Sequence, residues 1–130
     1  MYSRVTQDIK VTVEPEFSEE RSEPSENRYF WTYTIEITNF GRIRVQLLER
    51  TWHITDSDGH VETVKGPGVI GETPVLEPGE TFRYTSGCAL HTPSGVMFGS
   101  YRFIDPEGRS FDVEVPAFSL DAPGARRSVN

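Results

Sequence analysis

The sequence predicts an all-β protein, a sandwich of about seven antiparallel strands. Three observations predict it. Apolar residues alternate with polar ones along much of the chain, the period-2 pattern of half-buried strands. Gly (11) and Pro (9) are plentiful and cluster between those runs. Aromatics make up 12% of a chain that is only 35% hydrophobic, so bulky side chains carry the packing of a small core. At 130 residues the chain has the length of one domain, and no stretch shows helical periodicity.

Each element follows in order. Val5, Ile9, Val11 and Val13 sit at odd positions and Phe17 keeps the phase, which predicts a first strand across this span. Residues 18–27 read as a polar loop with a proline. Tyr29, Trp31, Tyr33, Ile35 and Ile37 alternate with Thr32, Thr34 and Glu36, the cleanest strand in the chain. Asn39-Phe40-Gly41 signals a turn. Ile43, Val45 and Leu47 keep the odd phase, then Leu48, Trp52 and Ile54 take the even one. That slip predicts a β-bulge or two abutting strands. Asp56-Ser57-Asp58-Gly59 predicts a hairpin turn into a short strand over 60–65. Phe82, Tyr84 and Ser86 mark another strand, and Met97, Tyr101 and Phe103 the next. Asp105-Pro106-Glu107-Gly108 turns the chain into Phe111, Val113 and Val115. Pro116 interrupts, and Phe118 and Leu120 resume in the other phase; a proline inside a strand belongs on an edge or at a bulge. The expected core is Val11, Trp31, Tyr33, Ile35, Leu47, Trp52, Phe82, Tyr84, Tyr101, Phe103 and Val113. The domain is expected to span residues 1–121, with 122–130 as a flexible tail.

Charge and composition bound the function. The net charge is −7, and Glu14, Glu16, Glu19, Glu20, Glu23 and Glu26 supply most of it against Arg21 alone. The run reads as a solvated loop, and the rest of the chain is close to neutral. Nucleic acid is not an expected partner. Arg42, Arg44 and Arg50 lie on one segment, but Tyr29, Trp31 and Tyr33 alternate on the core side instead of beside the cations. The single cysteine, Cys88, forms no internal disulfide and suits a reducing cytoplasm. The first residues lack the apolar stretch of a signal peptide, and no run is long enough to insert in a membrane.

Several strings carry a family resemblance. They are Val13-Glu14-Pro15, the run from Tyr33 to Asn39, the run from Leu47 to Asp56, and the stretch from Gly66 to Tyr101. In that order and spacing, over roughly residues 3 to 121, the chain resembles the bacterial ApaG family. The resemblance implies a fibronectin type III or immunoglobulin-like sandwich. It implies a module for protein–protein contacts, as in the eukaryotic relatives that carry an F-box or meet a DNA polymerase subunit. It also implies a label tied to cobalt resistance and magnesium efflux, which a chain with no membrane span would affect only indirectly.

Three residue sets invite chemistry. Gly66-Pro67-Gly68-Val69-Ile70-Gly71 is a GxGxxG string, with Lys65 the only adjacent cation. A dinucleotide site needs a helix after the glycines to hold the pyrophosphate, and Pro74, Pro78 and Gly79 exclude one here. Lys65, Gly66, Gly68 and Gly71 remain a candidate anion cradle of backbone amides. His53, Asp56, Asp58 and His60 offer ligands for Mg²⁺ or Co²⁺, although Asp-Ser-Asp-Gly is first a turn and alternation turns His53 to solvent. Cys88 and His91 have a nucleophile's spacing, but a lone cysteine usually serves as a small core residue, and Ser86-Gly87 lacks a nucleophile elbow.

The expectation is a non-catalytic, cytoplasmic interaction module with a protein partner and no cofactor, a monomer or weak homodimer. Its contact surface would be the loops 66–71 and 91–96, gathered at one end. The rival class is a small-ligand domain for nucleotide, pyrophosphate or a divalent metal, with phosphohydrolase activity as its enzymatic form.

Overall fold

Gln7 and Asp8 fold the first expected strand back on itself. Both take positive φ, 46° and 67°, the conformation of a two-residue hairpin turn. The result is two paired strands, β1 (Tyr2–Thr6) and β2 (Ile9–Phe17), where alternation predicted one. Neither turn residue is glycine or asparagine, so the usual signal is absent. A computed structural model of the chain describes residues 1–124. The strands that follow are β3 (Tyr29–Asn39), β4 (Val45–Asp56), β5 (Val61–Pro67), β6 (Val75–Leu76), β7 (Thr81–Leu90), β8 (Ser94–Ile104) and β9 (Ser110–Asp121). The described residues thus hold nine strands instead of about seven, the additions being β1 and the two-residue β6. Their one helical turn is a 3-10 turn at Pro24–Glu26, inside the acidic loop.

The strands form two antiparallel sheets, β1-β2-β3-β7 and β5-β4-β8-β9, with β6 also paired to β4. The core lies between them. Trp52 stands at its centre, 5.5 Å from the Tyr33 ring, 6.0 Å from Phe118 and 6.2 Å from Tyr101. The Trp31 indole donates across the sandwich to the Asp121 carbonyl at 3.2 Å. Of the expected core, only Phe82 is half-buried; it sits near the start of the edge strand β7, against the core rather than in it.

Both phase slips are bulges. In β4 the register shifts between Leu47 and Glu49, so the inward face changes from Val45 and Leu47 to Trp52 and Ile54. In β9 the shift falls at Pro116 and Ala117, opposite Phe98, and the inward face passes from Val115 to Phe118. The two Asp-x-x-Gly turns share one construction. Asp56 Oδ1 accepts the amides of Asp58 and His60 at 2.9 and 3.0 Å, and Asp105 Oδ1 accepts those of Glu107 and Arg109, both at 2.9 Å.

The two flanks of the sandwich differ. At one, β9 is tied to the first hairpin: Ser119 N donates to the Tyr2 hydroxyl at 3.2 Å and Glu114 N to Thr6 Oγ1 at 3.3 Å. At the other, β5 and β7 are the last strands of their sheets and do not pair with each other. At the end of β9, Ala122 is buried and its amide donates to the Pro93 carbonyl at 2.8 Å. Of the expected tail, residues 125–130 lie outside the described residues.

Candidate functional site

The β4 bulge builds the site. It gives Arg50 the same inward phase as Trp52, opposite Tyr101 on β8 and Gly66 on β5. A cation on the inner face of a sheet needs room and acceptors. Gly66 gives the room: a Cβ there would meet Arg50 Nη1 at 3.2 Å and Nη2 at 3.3 Å, so the guanidinium lies across the strand. Two loop carbonyls are the acceptors. Nη1 donates to Pro67 O and Gly68 O, each at 2.9 Å.

The rest of the glycine string folds around that anchor. Gly68 N donates to the Leu48 carbonyl in the bulge at 2.7 Å. Val69 and Glu72 exchange amide-to-carbonyl bonds of 2.8 Å, closing a two-residue turn at Ile70 and Gly71. Ile70 (φ 42°) and Gly71 (φ 78°) give that turn its hand. At Gly68 (φ 58°) a Cβ would stand 2.2 Å from the Glu72 carbonyl oxygen. The amides of Gly68, Val69 and Glu72 therefore have protein acceptors. Lys65 is exposed and pairs with Thr51 on the outer face, so it does not share Gly66's side of the strand.

Beside the anchor, a cleft of about 280 Å³ opens between β5 and β7. Arg50, Glu62 and Val64 line one side; Tyr33, Ser86 and Cys88 line the other. Burial pushes the Tyr33 phenol above its ordinary value, with Ser86 and Arg50 opposing that rise. Deeper in, the Tyr84 and Tyr101 hydroxyls bond each other at 2.5 Å, and burial raises both. Burial also pushes the Cys88 thiol up to about 11, and the Glu62 charge adds to it. A thiol so raised is protonated at neutral pH, the opposite of an activated nucleophile. His91 lies elsewhere, exposed, with Nδ1 3.4 Å from the Asn27 carbonyl.

The four candidate metal ligands do not converge. His53 faces outward, stacked on Phe98 at 4.9 Å, with Nδ1 3.3 Å from Thr63 Oγ1. Asp56, three positions on, spends Oδ1 on the turn amides, and its Oδ2 lies 3.4 Å from His60 Nδ1. Asp58 is an exposed turn residue. Strand alternation separates His53 from Asp56, and among the described residues no three His, Cys, Asp or Glu side chains form a ligand group.

The expected contact loops do not share one end. Ser57 N donates to Thr92 Oγ1 at 3.2 Å, which places the turn after β7 beside the β4–β5 hairpin. The glycine loop leaves from the far end of β5, where Pro67 pairs with Glu49. Sequence reading missed Arg50 as a site residue because it grouped it with Arg42 and Arg44. The signal was present: after the slip, Arg50 has the phase of Trp52 and Ile54.

Sandwich and cleft together define a small two-sheet β-domain laced on one flank and open on the other. The chain belongs to the ApaG domain family, whose model matches residues 19–105. It is 57% identical to Protein ApaG of Methylocella silvestris and 55% identical to that of Sinorhizobium fredii, in each case over the whole of both chains. A crystal structure from Bordetella pertussis, described as an ApaA protein, superposes with a TM-score of 0.87 at 44% identity, over 91% of this chain and 96% of that one. Among the described residues no helix is long and apolar enough to cross a membrane.

Proposed function

We propose that this ApaG-domain protein is a non-catalytic, cytoplasmic interaction module whose protein partner docks along the β5/β7 flank. One asymmetry supports the reading. The β1/β9 flank is closed by bonds from Ser119 and Glu114 to the first hairpin, whereas the outer edges of β5 and β7 have no ladder partner among the described residues. An unpaired strand edge is a ready template for another chain. The contact surface moves accordingly, from the loop ends to this flank. A cobalt- or magnesium-linked phenotype would then act through the partner, with no cofactor held here.

A photo-cross-linking residue placed at Thr63 or Thr85 tests the flank in cells, with Arg4 and Glu114 as controls on the laced side. Adducts with a protein partner are expected from the first pair alone. Equal adducts from both flanks, or none from Thr63 and Thr85, would remove the reading. Titrating the same protein with ATP and Mg²⁺ checks the rival class: saturable NMR shifts at Gly66–Gly71 would favour a nucleotide ligand.

A further inference from the structure

On the inner face of β5, Gly66, Val64 and Glu62 alternate, opposite Arg50, Trp52 and Ile54 of β4. The Arg50 guanidinium lies over Gly66 and so reaches the sheet edge. It spends only Nη1 on the loop carbonyls; among the described residues Nε and Nη2 meet no protein acceptor. Glu62, four positions away, forms no ion pair among the described residues; it is exposed and lines the cleft. Between them, Val64 is half-exposed above Trp52. The edge therefore presents a cation, an apolar step and an anion, spaced by the two-residue repeat of a strand over about 13 Å.

Resting on the docking reading above, we infer that the flank takes an extended peptide segment of the partner, added to β5, with an acidic residue, then an apolar one two positions on, then a basic one two beyond that. All strand pairings among the described residues are antiparallel. Antiparallel addition places the acid first in the partner's sequence, opposite Gly66, where Nε and Nη2 present a fork suited to a carboxylate. The apolar side chain enters the cleft above Val64, toward Ser86 and Cys88. The basic side chain meets Glu62. Opposite charges in that order make the recognition directional.

The test uses the full chain and three acetylated, amidated peptides: TETVTKT, its charge-swapped form TKTVTET, and neutral TQTVTQT. Saturable ¹⁵N–¹H shifts are expected along Val61–Pro67 and at the Arg50 side chain. TETVTKT should bind about ten-fold more tightly than the neutral peptide, the scale of charge-assisted bonds at a partly exposed site. Glu62→Gln, a change at an exposed side chain, should remove the advantage of the lysine while leaving the fold intact. Equal affinities, no shifts at millimolar peptide, or tighter binding of TKTVTET would each overturn the proposed pattern. Cross-links at Thr63 or Thr85 with charge-blind peptides would leave the docking reading standing. Loss of both would remove both.

Discussion

Arg50 Nη1 donates to the Gly68 carbonyl at 2.9 Å, and Gly68 N donates back to the β4 bulge at Leu48 O, 2.7 Å away. One strand thus holds the glycine loop by a side chain and a backbone carbonyl two residues apart. The bulge is what allows both. It turns Arg50 inward and leaves the Leu48 carbonyl available to the loop. The glycines of the GxGxxG string each answer a constraint of that arrangement, and the constraints differ in strength.

That difference predicts a ranking. Gly68→Ala places a Cβ 2.2 Å from a backbone oxygen at φ 58°, so the loop must move. A loss of about 3 kcal/mol or more is expected. Gly71→Ala meets nothing within 4 Å, but at φ 78° it pays the left-handed penalty, about 1–2 kcal/mol. Gly66→Ala meets the Arg50 guanidinium first, at 3.2 Å; that side-chain end can give by a few tenths of an ångström where a backbone oxygen cannot, so this variant should cost least, under about 1 kcal/mol. Urea midpoints of the three variants check the order 68, 71, 66. A ligand-binding role without structural demand would leave the three stabilities alike.

Cys88 should be silent in the native state. Its thiol is buried and raised to about 11, so little thiolate exists near neutral pH. Labelling by a thiol reagent at about pH 7.5 is expected to be slow, and to become fast only in denaturing urea. Rapid stoichiometric labelling of the folded protein would show that the β5/β7 flank opens far enough to expose it.

Asp105 predicts the direction of one acid effect. The Arg109 amide, bonded at 2.9 Å, holds its carboxyl below the usual range, and the Glu107 amide and Arg109 charge add to it. A carboxyl lowered by folding stabilises above its unfolded pKa and loses that contribution as pH falls through the folded value. Asp105→Asn should therefore be less stable than the parent near neutral pH. The gap should close as pH drops from about 5 to about 2, read from urea midpoints across that range. A gap independent of pH would assign the loss to the amide's shape instead of the charge.

Much of this architecture was legible. Tyr29 to Ile37 alternates without interruption because β3 pairs on both sides and its inward face is buried from Trp31 to Ile37. The slip at Leu48 left a bulge or two abutting strands and the proline at 116 an edge or a bulge; both are bulges, since an extra residue in a strand must reverse the inward phase. The Gln7–Asp8 turn was not legible, because positive φ there is imposed by the pairing of β1 on β2, not by residue type. β6 was hidden by its length: two residues carry no period. The site was half legible. The glycines were visible, but Arg50 was the residue they serve, and only the register across β4 and β5 places it over Gly66. The metal candidates were spread for the converse reason, because closeness in sequence around a turn puts His53 and Asp56 on different faces.

Tyr84 and Tyr101 carry the sharpest test of the interior. Their hydroxyls bond each other at 2.5 Å in the core, with Tyr101 fully buried and Tyr84 on the strand that borders the open flank. Tyr84→Phe leaves the Tyr101 hydroxyl buried without its partner, which should cost about 1–3 kcal/mol. Tyr101→Phe should cost somewhat less, because Tyr84 keeps a small exposed surface while Tyr101 has none. Replacing both removes donor and acceptor together and keeps the ring packing, so the double variant should be more stable than the two single losses sum to. A coupling of about 0.5–3 kcal/mol in that cycle is the expected result. Strict additivity would mean the two hydroxyls find other partners, and that water already penetrates past Arg50 to the centre of the sandwich.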